Sequence, residues 1–100
     1  MNKVVFNNTY GGFELSKKAV DWLRAHGVSE NDIAGYLNDA FPRHDPLLVQ
    51  LVEELGKEAS QSLYSNLQIT EIDGDIYRIE EYDGKETVVT PENEDWLIIK

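Results

Sequence analysis

The stretch Asp45-Pro46-Leu47-Leu48-Val49-Gln50-Leu51-Val52-Glu53-Glu54-Leu55-Gly56 leaves this chain the least freedom. It carries a helix start, an apolar stripe and a stop. Asp45 can accept a hydrogen bond from the free N–H groups of a first turn, and Pro46 suits the first helical position. Leu47, Leu48, Leu51, Val52 and Leu55 recur at helical spacing, so one face of this helix must be buried. Gly56 is a C-terminal stop, or a weak point before a further turn through Lys57, Glu58 and Ala59. Whatever else folds here has to supply a partner for that face.

The remaining elements are read outward from it. Lys3 to Thr9 reads as a strand around Val4, Val5 and Phe6, broken by Tyr10-Gly11-Gly12-Phe13. A helix follows, with Ser16 as N-cap, Ala19, Val20, Trp22, Leu23 and His26 along it, and Gly27 closing it. A second runs from Glu30 to Ala40, capped by Ser29, with Ile33, Tyr36, Leu37 and Ala40 or Phe41 inward and Pro42 ending it. Gly35 in its interior costs about 1 kcal/mol relative to alanine, which predicts either close packing against a neighbour or an irregular helix. Beyond the polar loop Ser60–Asn66 the period falls to two. Leu67–Ile72, Ile76–Tyr82, Glu86–Thr90 and Trp96–Ile99 read as strands, punctuated by Asp73-Gly74 and Asp83-Gly84, strong hairpin dipeptides. The predicted class is α+β in a single domain over residues 1–100. It has an N-terminal strand, two or three helices, and a C-terminal antiparallel four-stranded meander whose one face packs the helices.

Composition narrows the function classes. No run approaches the ~18 apolar residues of a membrane span, and the polar start Met1–Asn8 does not read as a signal peptide. A cytoplasmic protein is the expectation. Without cysteine there is no disulfide framework and no thiolate ligand or nucleophile. The formal net charge of −10 argues against binding a nucleic-acid backbone directly. Residues 71–95 hold ten acids against Arg78 and Lys85, whereas residues 1–26 carry a net charge of +2. An anionic ligand therefore belongs with the first half.

Two features fit such a ligand. Arg43 and His44 stand directly before the central helix, and Gly11-Gly12 joins a strand to a helix, where backbone N–H groups can converge on phosphate. Tyr10, Phe13 or Tyr82 could stack on a base. The plainer alternatives are an Arg43 paired with a surface carboxylate beside a solvated His44, and a Gly-Gly turn that only relieves crowding. For catalysis, His44 beside Asp45 is a candidate only if Asp45 is not occupied as the helix cap. Two histidines without metal-binding spacing favour no metal and no cofactor, and Asp73-Gly74-Asp75 lacks the ligand count of a calcium loop. The residues favour a non-enzymatic protein.

Tyr10-Gly11-Gly12-Phe13-x-Leu15-Ser16, Arg43-His44-Asp45-Pro46-Leu47-Leu48-Val49-Gln50, Val52-Glu53-Glu54-Leu55-Gly56 and Glu81-Tyr82-Asp83-Gly84 together resemble a family of small, mostly uncharacterised proteins of bacteriophages and prophages. The likeness covers most of the chain, and its two longer motifs are specific. It implies a phage accessory protein acting in the host cytoplasm. By analogy with such proteins, it implies an oligomeric sponge that sequesters an immune signal without cleaving it. The leading expectation is thus a binder of an anionic, nucleotide-like small molecule through Tyr10, Gly11, Gly12, Phe13, Arg43, His44 and Tyr82. The alternatives are an acidic protein-interaction module or inhibitor, nucleic-acid mimicry included, and a phage structural or assembly subunit. Trp22, Tyr36, Phe13, Tyr64 and Trp96 are more large apolar groups than one small core holds, which predicts a homo-oligomer.

Overall fold

A computed structural model describes residues 2–60 and 65–91. The described chain is α+β: strand β1 (Asn2–Asn7), helices α1 (Lys17–Ala25), α2 (Glu30–Leu37) and α3 (Pro46–Leu55), a 3₁₀ turn over Gly56–Ala59, then β2 (Leu67–Ile72), β3 (Arg78–Tyr82) and β4 (Lys85–Val89). The proposed strand Trp96–Ile99 lies outside the described residues, as do Tyr64 and most of the loop before Ser65.

Each helix begins where its cap residue predicts. Ser16 Oγ accepts from Ala19 N–H, Ser29 Oγ from Asp32 N–H, and Asp45 Oδ2 from Leu48 N–H at 3.1 Å. Helix α2 stops at Leu37, three residues short of the expected Ala40. The cause is local. Asp39 takes a left-handed φ of 57°, Ala40 N–H bonds back to Gly35 O and Asp39 N–H to Tyr36 O, closing a Schellman turn without glycine. Phe41 then folds back onto the helix and stacks on Tyr36 with ring centroids 4.1 Å apart. A Cβ on Gly35 would sit 2.8 Å from the Phe41 ring, so this glycine serves close packing.

Among the described residues the expected meander does not form, because β2 pairs with β1 and not with β3. The strands divide into two antiparallel two-stranded sheets, β1–β2 and β3–β4. Residues of β1 pair with β2 in register, Val4 opposite Thr70 and Val5 opposite Ile69. The other edge of β1 is already occupied: Val5 N–H donates to Arg43 O at 2.8 Å, and Asn7 N–H to the Glu86 carboxylate at 2.7 Å. Those groups would have to pair with a strand if one continuous sheet were to form. The two Asp-Gly pairs also behave differently. Asp83 and Gly84 have φ of 56° and 91°, as a tight hairpin turn requires, whereas neither Asp73 nor Gly74 has a positive φ. Instead, Asn2 Nδ2 donates to Gly74 O at 2.7 Å, and the chain crosses at Asp73–Tyr77 to a second layer.

The two faces of β1–β2 therefore bury different things. Val5 and Leu67 belong to the main core with Leu15, Leu23, Ile33, Leu48, Leu51 and Val52 from the helical side. Val4 and Ile72, on the opposite face, pack with Val88 of the hairpin, flanked by Phe6, Tyr77 and Ile79. Not every acid of the C-terminal half lies on the surface. Glu86 shares the inward side of β4 with Val88 by two-residue alternation and is only 7% exposed.

Candidate functional site

The loop, helix and hairpin segments meet at the far end of β1, around Arg43. Asp39, left-handed at the end of α2, turns its carboxylate onto the guanidinium, with Nε to Oδ1 and Nη2 to Oδ2 both at 2.8 Å. Glu86 approaches with both oxygens, Nη2 to Oε2 at 2.8 Å and Nη1 to Oε1 closer still. The Phe13 ring lies beneath, 4.1 Å from Cζ to centroid. Arg43 is 7% exposed. Burial by itself lowers a guanidinium pKa, but the hydrogen bonds to Asp39 and Glu86 more than offset it, and the group is held charged.

Asn7 completes the junction. Fully buried, it donates from Nδ2 to Gly84 O at 2.8 Å and Thr9 O at 2.7 Å, and its Oδ1 accepts from Asn66 N–H at 2.8 Å. Among the described residues no buried side-chain polar atom lacks a partner. The Gly11-Gly12 turn is covered by the hairpin turn. Gly11 N–H donates to Asp83 O at 3.3 Å, and a Cβ on Gly84 would stand 2.4 Å from both glycine nitrogens. Gly84→Ala should consequently undock the hairpin. Amide exchange over residues 78–89 should accelerate while that of α3 holds; uniform protection in both segments would refute this docking.

The expected ligand-binding residues thus share part of one place. Tyr10, Gly11, Gly12, Phe13 and Arg43 gather around the hairpin, with Lys85 Nζ 5.7 Å from the centroid of the Tyr10 ring. The anions seated on Arg43 are the chain's own Asp39 and Glu86. Tyr82 lies on the exposed side of β3. His44 points elsewhere, with Nδ1 2.7 Å from the Tyr77 hydroxyl and the rings edge to face. With Asn2, Lys3, Ile72, Asp75 and Tyr77 it lines a cleft of about 200 Å³, smaller than the ~300–1,000 Å³ usual for ligand pockets. Lys3 in that cleft is already paired with Glu53 at 2.7 Å.

Asp45 is not free to act with His44. Its Oδ2 accepts from both Leu48 N–H and the Tyr36 hydroxyl, the latter at 2.7 Å. Burial first, and this hydrogen bond second, hold the Tyr36 phenol well above its ordinary pKa of 10.0. A raised folded-state pKa stabilises fully below the unfolded value, and that contribution is lost as pH climbs through the alkaline range. Tyr36→Phe should therefore flatten the fall in stability above about pH 10, read from urea midpoints. Tyr77 is also shifted upward, chiefly by burial, so some slope should remain. An unaltered slope would mean Tyr36 does not titrate differently in the folded state.

Sequence reasoning missed Glu86, Asp39 and Asn7. For Glu86 a signal existed, since an acid on the apolar side of a strand has to find a cation. For Asp39 and Asn7 there was none. Among the described residues no group of three His, Asp or Glu could hold a metal ion, and no helix is long and apolar enough to cross a membrane. Compared with protein-family models, curated proteins and solved structures, the chain matches none.

Proposed function

We propose that this chain is a non-enzymatic accessory protein, in the phage setting its motifs suggest, that presents the β3–β4 hairpin as an acidic surface to a basic protein partner. The supporting observation is the contrast between the hairpin's two sides. Its inward side is fixed by Glu86, Gly84 and Val88, while Glu80 and Tyr82 lie on the opposite side of β3 and Asp83 is exposed at the turn, with Tyr82 77% exposed and nearby Ile76 67% exposed. A fixed hairpin with aromatic and carboxylate groups outward suits recognition of a cationic patch, because little ordering entropy is lost on binding. The test compares proteins retained from host lysate by the wild type and by a Glu80→Lys, Tyr82→Ser variant, which leaves the Glu81 bond to Gly84 N–H in place. A partner lost by the variant and weakened by salt fits the proposal. Identical retention by the folded variant refutes it.

A second reading, sequestration of an anionic nucleotide-like molecule, is favoured by the closeness of the hairpin to Tyr10–Phe13 and Arg43: Arg43 stacks on Phe13 and holds the Glu86 carboxylate, and Lys85 lies over the Tyr10 ring. That ligand would have to take the place of Glu86. Either reading gains from self-association, for which the exposed Tyr10, Leu37, Ile76 and Tyr82 supply apolar contact. Light scattering at micromolar concentration should give a multiple of 11.4 kDa; the monomer mass would reject it.

A further inference from the structure

Arg43 offers Glu86 a two-pronged edge, the arrangement in which a guanidinium receives a carboxylate or a phosphate from solution. The carrier of that carboxylate is a thin element. Hairpin β3–β4 contributes only Val88 to the buried part of its apolar cluster, and four of the five β3 residues are exposed. A two-stranded hairpin has little stability of its own, so its docking is the kind of contact that opens without global unfolding. Beside Glu86 a groove of about 270 Å³ reaches solvent, lined by Phe6, Thr70, Lys85, Glu86 and Thr87 among others. Lys85, at the edge of this groove, has no ion-pair partner among the described residues. An oxyanion entering there meets the Lys85 ammonium beside Glu86, the residue whose carboxylate Arg43 holds.

We infer that Glu86 is an intramolecular stand-in for an external oxyanion of the carboxylate or phosphate-monoester type, which displaces it from Arg43 and thereby releases the hairpin. The inference rests on the second reading above and adds to it a coupling between ligand and hairpin. Because Glu86 is tethered, it competes at high effective concentration, so the wild-type site binds free anions weakly. Asp39 stays on Arg43 throughout and tempers the charge offered to the ligand.

The test uses the full chain, with inorganic phosphate and acetate as separate probes against chloride at equal ionic strength. Two signals are followed by NMR, the Arg43 Nε–H resonance and amide exchange over residues 78–89. Glu86→Gln keeps the shape and an acceptor for Asn7 N–H but removes the competing charge. It should show a saturable Arg43 shift, lost on adding Arg43→Lys, at roughly a tenth of the concentration the wild type needs. In the wild type the same probe should accelerate hairpin exchange along its own saturation curve. A response to phosphate alone assigns a phosphate ligand, and an equal response to acetate assigns a carboxylate. If Glu86→Gln binds but wild-type exchange ignores the probe, the coupling is wrong and the anion reading survives. No saturable shift in folded Glu86→Gln overturns both. Should that variant not fold, the wild-type exchange experiment decides alone, acceleration supporting the coupling and its absence rejecting it.

Discussion

Arg43→Ala should destabilise the fold by about 3–5 kcal/mol, the cost of stranding a buried carboxylate whose cation has been removed. For a chain of this size that corresponds to a melting temperature lower by roughly 12 °C or more. The loss has identifiable parts. Glu86, 7% exposed, would keep only Asn7 N–H as a donor, and the ring of Phe13 would lose the cation stacked on it. An Arg43 paired at the surface, the plainer expectation from sequence, predicts almost no change. Urea denaturation separates the two, and an unshifted midpoint would mean that the buried pair does not form. The double change Arg43→Met with Glu86→Gln should recover much of the loss, because no charge is then stranded and the amide still accepts from Asn7 N–H. Such recovery would also mark the ion pair as a device for placing the hairpin more than for holding the fold together.

Leu51→Ala should cost about 2–5 kcal/mol, the span for truncating a buried leucine. Leu51 has no exposed surface and belongs to the main core with Leu23, Leu48, Val52 and Val5. The value within that span depends on how far the neighbours relax into the space left behind. Since total stability for small domains is about 5–15 kcal/mol, this change could halve it. The unfolding slope in urea should stay constant while the midpoint falls. An unchanged midpoint would put the Leu51 face of α3 in solvent and overturn the core as described.

The helices were legible because their signals are local. The Ser16, Ser29 and Asp45 caps act on N–H groups three residues away, and the apolar stripe of α3 is a property of consecutive residues within one helix. The Asp83-Gly84 hairpin was legible for the same reason. Asp73-Gly74 carries the same dipeptide and did not make a hairpin, since the course of the chain beyond β2 is set by Tyr77 meeting His44 and by Asn2 binding Gly74. Turn chemistry names the turn a segment can make and cannot say whether its flanking strands are already taken.

The sequence by itself determined the α+β class, the helix starts, the inward face of α3 and the hairpin at Asp83-Gly84. All of these depend on interactions within about a turn or a strand length of the chain. Tertiary structure alone decided that β2 pairs with β1, that the hairpin forms a separate layer, and that Arg43 is consumed by Asp39 and Glu86. The physical reason is the reach of the interactions. A charge or an unpaired N–H group specifies that a partner must exist, and many acids in this chain could have served Arg43. The choice fell to Glu86, 43 residues away, because packing Val88 against Val4 and Ile72 brings its carboxylate to the open edge of β1.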